Sequence, residues 1–392
     1  MEPPPAAADA LNPRDAARGV VRVGAAVTLV VLMFSLLNPV LAVRLQSAGH
    51  GASAIGLFLM LPFAAIALAV PMLPRVFARL GVPPALRWGL LLEFSATLTY
   101  GLVDDYGAWC AAAAISGLGA AAAWNGTEAL VAQHAPREAR GRWTGLYQTA
   151  LGVALALGPF LPGLLALTPL SATWIACGGL ALALLLLMSP RVSRLGGALS
   201  GHRAGWWRAA CERPLLVWAA FVGGVFEAGL ASITAAYGFE LGFTLAASTS
   251  IAGVLGIGSF ALQYPTGWLA DRHGTRALLI AAGVLLALAS LPLARAADAP
   301  AWLWPAALLW GAVGGALYTL TMIRVAHEWS DAVGPGNVVA GTAAVITGYT
   351  AGGALGPLVS GVLIERLGVV AQSAWLVLLA SSIVFGSWRS SR

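Results

Sequence analysis

Residues Gln263 to Arg276 read Q-Y-P-T-G-W-L-A-D-R-H-G-T-R and lie between two long apolar segments. Asp271, Arg272, His273 and Arg276 crowd into a short turn there, with Gly267 and Gly274 on either side. A carboxylate just past the C-terminal end of a helix is badly placed for the helix dipole. Asp271 therefore needs the amino end of another helix or a cation, supplied by Arg272, Arg276 or a neighbouring segment. Gly267 has no side chain and lets another helix approach closely, while Gly274 suits the reversal into the next segment. The stretch reads as a gate that holds two packs of helices together on one side of a membrane.

The rest of the composition agrees with that setting. Of 392 residues, 59% are hydrophobic and only 10% charged, where a soluble domain carries about 25% charge. With a mean hydropathy of +0.82, this excludes a soluble domain and predicts a polytopic membrane protein. A spanning helix takes about 20 apolar residues. Apolar segments fall at roughly 20–45, 53–78, 84–103, 107–133, 142–168, 172–188, 214–238, 245–270, 275–295, 301–327, 338–365 and 370–388. The run from Val23 to Val43, preceded by Arg14, Arg18 and Arg22, is too long for a secretory signal and reads as a retained first span.

These segments predict an all-α membrane protein of twelve transmembrane helices in two six-helix bundles. The expected divisions are a disordered tail (1–19), a first bundle (20–188), a linker (189–213), a second bundle (214–388) and a short tail (389–392). The linker carries Arg191, Arg194, Arg203, Arg208 and Arg213 with Trp206 and Trp207, a composition suited to the membrane interface. A repeat supports the pseudo-symmetry. Leu157-Gly158-Pro159 is followed by Gly163, and Leu355-Gly356-Pro357 by Gly361, at the same spacing. Parallel halves of this kind place a substrate site near the midplane between them. The counterpart turn in the first half, P-M-L-P-R-V-F-A-R-L-G from Pro71, keeps the bases but lacks an acid equivalent to Asp271.

Every basic side chain is Arg, and the formal net charge is +6. One set of alternate loops holds only Arg44, Arg295 and Arg366 with Asp104, Asp105, Glu240 and Asp298, the remaining Arg lying on the side of the N-terminus. This asymmetry predicts cytoplasmic termini and explains the charge without nucleic acid. Cys110, Cys177 and Cys211 are too scattered for a disulfide framework or a metal site. No phosphate loop, metal-ligand pair or nucleophile with a base is visible, so neither enzyme chemistry nor a cofactor is expected.

The 263–276 stretch resembles the loop signature of the major facilitator superfamily, G-x-L-a-D-r-x-G-r-r, matched by Gly267, Leu269, Ala270, Asp271, Arg272, Gly274 and Arg276. In that family the acid helps to stabilise the outward-facing state, a role the resemblance implies for Asp271. The stretches I-S-G-L-G-A-A-A-A-W-N-G-T-E-A-L, R-G-R-W-T-G-L-Y-Q from Arg140, and A-L-Y-T-L-T-M leading to G-Y-T-A-G-G-A-L-G-P are similar to a small YcaD-like bacterial branch. Glu128, Arg140, Arg142 and Gln263 belong to that shared pattern, whereas Glu227 and Arg324 depart from it. Proton-driven drug exporters of the superfamily usually carry an Arg where Ala113 stands here.

Ionisable residues deep in a span are costly and default to functional candidates. Glu227 lies mid-segment, on one helical face with Gly223, Ala231 and Thr234, and suits a group that takes and releases a proton during transport. A structural hydrogen bond to a neighbouring helix is the competing reading. Glu128 shares a face with Trp124 and Asn125, and Arg324 lies at corresponding depth near Tyr318, Thr321 and Glu328. Three arrangements stay open: a Glu128–Arg324 ion pair that closes the cytoplasmic side, an anion site at Arg324, or a local Arg324–Glu328 contact. Glu93 is expected to turn inward to a polar partner without touching substrate. Proline bends beside Asn38 and Gln263 can open polar spots inside the bilayer, and Tyr147, Gln148, Tyr237 and Tyr349 offer further hydrogen bonds.

Taken together, these features predict a monomeric secondary transporter of the bacterial inner membrane, moving a small-molecule substrate with protons as the coupling ion. A proton-antiport exporter of drugs or metabolites, and a receptor or assembly factor of the same shape that moves nothing, are the alternatives.

Overall fold

The computed structural model describes residues 13–134, 140–196, 206–330 and 335–389, and every regular element among them is a helix. The chain begins with α1 (Pro13–Ser47), which absorbs Pro39 without breaking. α2 (Ala52–Ala69) passes through a 3₁₀ turn at Pro71 into α3 (Leu73–Leu80). Gly81, at φ +79°, reverses the chain into α4 (Val82–Leu102). α5 (Tyr106–His134) and α6 (Arg140–Leu157) follow, and α6 tightens at Pro159 before a last turn, Leu161–Leu164. A proline has no N–H to give an i−4 carbonyl, and here the backbone answers by switching to i−3 geometry. α7 (Pro169–Leu187) starts from a capping box in which Thr168 accepts the Ser171 amide at 3.1 Å and Ser171 accepts the Thr168 amide at 2.8 Å.

In the second half α8 (Pro214–Gly224) runs through a π-helical turn, Val225–Gly229, into α9 (Leu230–Glu240). α10 (Leu245–His273) ends at Gly274, whose φ of +75° makes the reversal anticipated from its position. α11 (Thr275–Ser290), α12 (Leu303–Ser330), α13 (Pro335–Leu367) and α14 (Val369–Arg389) complete the chain. The linker's Pro190–Ser193 and Trp206–Glu212 form short helical turns; its residues 197–205 lie outside the described residues, as do 1–12 and 390–392, while residues 13–19, expected to belong to a disordered tail, already form the first turns of α1.

Among the described residues nine helical stretches are long and apolar enough to cross a membrane. α4 has the length, but Arg87, Glu93, Ser95, Thr97 and Thr99 dilute its apolar character. Large side chains such as Leu68, Leu185 and Leu378 are left mostly uncovered by protein, an arrangement costly in water and natural against lipid. Trp310, Phe58 and Phe226 are fully buried, and the Trp310 indole N–H donates to Ser290 Oγ at 3.2 Å.

Helices up to residue 187 meet those from residue 214 where α1 packs on α9 and along two further seams, α2 on α13 and α6 on α10. Small residues make both of these seams. A Cβ on Gly361 would lie 2.8 Å from the Ala52 carbonyl carbon, and one on Gly56 would strike the Pro357 carbonyl oxygen. In the second seam a Cβ on Gly256 would stand 2.9 Å from Ala156 Cα, and one on Gly163 3.2 Å from Ala246 Cβ. The Glu365 carboxylate accepts the Ser53 amide at 2.7 Å, tying the start of α2 to the end of α13. These contacts all gather at one end of the molecule.

At the opposite end, which bears the Gly81 and Gly274 reversals, Gly145 on α6 and Gly267 on α10 have open space where a Cβ would stand, and Tyr264 is 84% exposed. Among the described residues the close contacts between the halves therefore lie toward the Ser53–Glu365 end, and the Gly274 end is the more open one.

Candidate functional site

The π-helical turn inserts its extra residue at the middle of residues 214–240, and Glu227 is its central residue. Such turns leave a backbone group out of the regular ladder and re-aim the side chains around them. Glu227 and Gly223 keep the common face expected of them, since the Gly314 Cβ position lies 3.2 Å from both Glu227 Cβ and the Gly223 carbonyl oxygen. Beyond the bulge the regular spacing is lost, so the face predicted to continue through Ala231 and Thr234 is interrupted. Thr234 is buried in the packing.

Glycines bring the neighbours close enough to reach this carboxyl. Gly315 sits so that its Cβ position is 3.3 Å from Glu227 Oε1. Ser259 Oγ, on α10, donates to the same Oε1, and Tyr349 on α13 is a second polar group placed to bond the carboxyl. The Tyr349 ring lies 4.9 Å from that of Tyr318 on α12. Tyr318 is within electrostatic range of both Glu227 and Glu128.

Glu128, an exposed residue of the other half of the chain, lies within electrostatic range of Tyr318. Tyr147 on α6 is also within its range. Its carboxylate accepts the Trp124 indole N–H at 2.8 Å, while Asn125 spends its amide on the Ala121 carbonyl one turn back, at 2.9 Å. Glu227, Ser259 and Tyr349 thus form one polar group within the second half, with the Tyr318 ring beside Tyr349 and Glu128 of the first half within longer electrostatic range. Hydroxyls and carboxyls in sequence can bind a polar solute or pass a proton along hydrogen bonds.

Several expectations meet a different geometry. Among the described residues the Glu128 carboxylate accepts the indole N–H of Trp124 and forms no ion pair with Arg324; the side chain of Glu328 lies outside the described residues. Asp271 has no ion-pair partner among the described residues. Arg272 stacks over Trp268 at 3.9 Å, and Arg276 donates to the Ser387 and Trp388 carbonyls at 3.0 and 3.3 Å, pinning α11 to α14. Gly267 meets no neighbouring helix, because it stands at the open end. Arg140 and Arg142 begin α6, but their side chains lie outside the described residues. Gln148 and Tyr264, the neighbour of Gln263, are exposed toward the open end.

Asn38 turns away from this set. It lines a small, partly enclosed cavity with Glu93, Thr97, Tyr100 and Ser116. Glu93 does point inward, at 4% exposure, but the polar partner expected for it is missing from Oε1. Ser259 was not singled out from the sequence. It is the one hydroxyl within G-I-G-S-F-A-L, four residues before Gln263, and its isolation in an apolar run was the available signal.

Residues 23–330 match the Major Facilitator Superfamily. The chain is 24% identical over 259 residues to the uncharacterized MFS-type transporter YfkF of Bacillus subtilis (strain 168), covering 62% of this chain and 64% of that protein. The chain thus spans less than two thirds of that relative's length. Two crystal structures of the nucleoside transporter NupG share the fold: a mutant form superposes with a TM-score of 0.76 at 10% identity, and a second NupG structure with 0.75 at 12%. Each alignment covers 95% of this chain and 98% of the other. With residues 23–330 matched and many apolar helices in sequence, this multi-pass membrane protein belongs to the Major Facilitator Superfamily.

Proposed function

We propose that the chain is a secondary active transporter in which two six-helix bundles, residues 20–188 and 214–388, alternate in exposing a central site to either side of a bacterial inner membrane. It moves a small polar solute, with the proton taken and released by Glu227. The observation that carries this reading is the Glu227 carboxyl itself, held mid-span on a π-helical turn, bonded by Ser259 and faced by Tyr349, whose ring lies beside that of Tyr318. A carboxyl at that depth is expensive unless it has a use, and π-helical turns concentrate at functional positions.

The arginine asymmetry puts the Gly274 end in the cytoplasm, so the present arrangement is the inward-open one. Asp271 and Gly267 then find their partners only when that end closes, and a Glu128–Arg324 ion pair forms in the same movement. The resemblance of the stretches around Glu128, Arg140 and Gln263 supports a place beside the YcaD-like branch of the superfamily.

The test begins with solutes that differ between cells lacking the protein and cells overproducing it, followed by flux of those solutes in proteoliposomes. Glu227→Gln abolishes the pH dependence of flux while leaving a folded, monodisperse protein. An unchanged pH dependence rules out the coupling role, and binding without flux favours a receptor of the same shape.

A further inference from the structure

Glu93 has no place in the central site, yet its surroundings are those of a ligand group. It sits near the middle of α4 at 4% exposure, and its Oε1 has no hydrogen-bond partner among the described residues. A bare carboxylate in an apolar interior costs several kcal/mol, so this oxygen needs a proton or a cation.

The cavity it borders measures about 20 Å³, room for one water or one small ion. Oxygen-bearing groups converge on it from three helices: Asn38 of α1, Thr97 and Tyr100 of α4, and Ser116 of α5. The Thr97 hydroxyl has already donated its proton to the Glu93 carbonyl at 2.9 Å, so only its lone pairs face the cavity. Asn38, Tyr100 and Ser116 each carry an oxygen able to accept, and with a carboxylate beside them the one-water space favours a cation over an anion. The remaining walls, from α1, α2 and α7, are apolar, and Tyr100 is the only other titratable side chain in the lining. Arg44, a cation on α1, is committed to the Tyr100 carbonyl and to Asp104. Cys110 of α5 bears on Tyr100 and Tyr106.

We propose that this cavity is a binding site for a small monovalent cation, a hydrated proton or Na⁺, held by Glu93 within the first half of the chain and separate from Glu227. Occupancy ties α1, α4 and α5 together.

Thermal unfolding of the purified full-length protein tests it, with Na⁺ exchanged for N-methylglucamine at constant ionic strength and with pH varied in the absence of Na⁺. In the sodium case Tm rises saturably with NaCl in the unchanged protein and not in Glu93→Gln. In the proton case Na⁺ has no effect, and Glu93→Gln removes a pH-dependent step in Tm. Asn38→Ala and Ser116→Ala keep the carboxyl and weaken the same response about tenfold, as one lost polar contact does. They decide the matter should Glu93→Gln fail to fold. A response to both ions that is identical in the Glu93, Asn38 and Ser116 variants overturns the proposal, as does a response abolished by Glu227→Gln alone.

Discussion

Gly361→Ala tests whether the small-residue seam holds the present conformation. The new Cβ would stand 2.8 Å from the Ala52 carbonyl carbon and 3.3 Å from Ser53 Cα. The Ala52 carbonyl oxygen is nearer still, and all three obstacles are backbone, so no rotamer relieves them and α2 and α13 must separate by more than the roughly 0.6 Å that the carbonyl carbon alone demands. Overpacking of this kind costs about 1–3 kcal/mol, which shifts a two-state equilibrium roughly 5- to 150-fold. The seam exists only while this end is shut, so the shift favours the conformation open at the Ser53–Glu365 end. The assay is the rate at which a membrane-impermeant maleimide labels His50→Cys, read alongside Tm. Labelling accelerates by a factor in that range in Gly361→Ala. Gly267→Ala has open space here and clashes only when the Gly274 end closes, so it slows labelling at the same cysteine and leaves Tm nearly unchanged. Equal labelling rates in all three proteins would refute the seam argument.

Three further outcomes follow from the same contacts. Ser259→Ala strips the Glu227 carboxyl of a donor, costing about 1–2 kcal/mol in stability, and Glu227→Gln in the same background restores part of it; additive losses in the double variant contradict direct bonding. Charge reversal at Glu128 or Arg324 alone stalls flux, and the swapped pair recovers part of it, which steady-state transport rates measure; no recovery leaves Arg324 to another role. The Ser53 amide holds the exposed Glu365 carboxyl below the usual carboxylate range. Its tie to α2 is therefore intact above the ordinary carboxylate pKa and lost as pH falls through the lowered value. Acid thus speeds His50→Cys labelling in the unchanged protein, and Glu365→Gln flattens that profile.

Much of this was legible in the chain because one physical quantity dominates it. Lipid satisfies no backbone hydrogen bond, so long apolar runs must become helices wherever they cross, and Gly81 and Gly274 mark the reversals that side chains would strain. The depth of Glu227 and its likeness in face to Gly223 were readable for the same reason, helical spacing being local. What required tertiary structure was every relation between helices. Spacing rules assume a regular helix, so the π-helical turn that re-aims Glu227 escaped them, and with it Ser259 as the donor opposite. Asn38 was attributable to a central site from its proline, but only the packing of α1 against α4 and α5 turns it toward Glu93. Gly267 and Asp271 have sequence signatures of contact and make none among the described residues, because the end of the molecule that carries them is open. The residue order encodes both arrangements of a moving protein at once; which contacts exist at a given moment is decided by how the halves lean, a property of their packing.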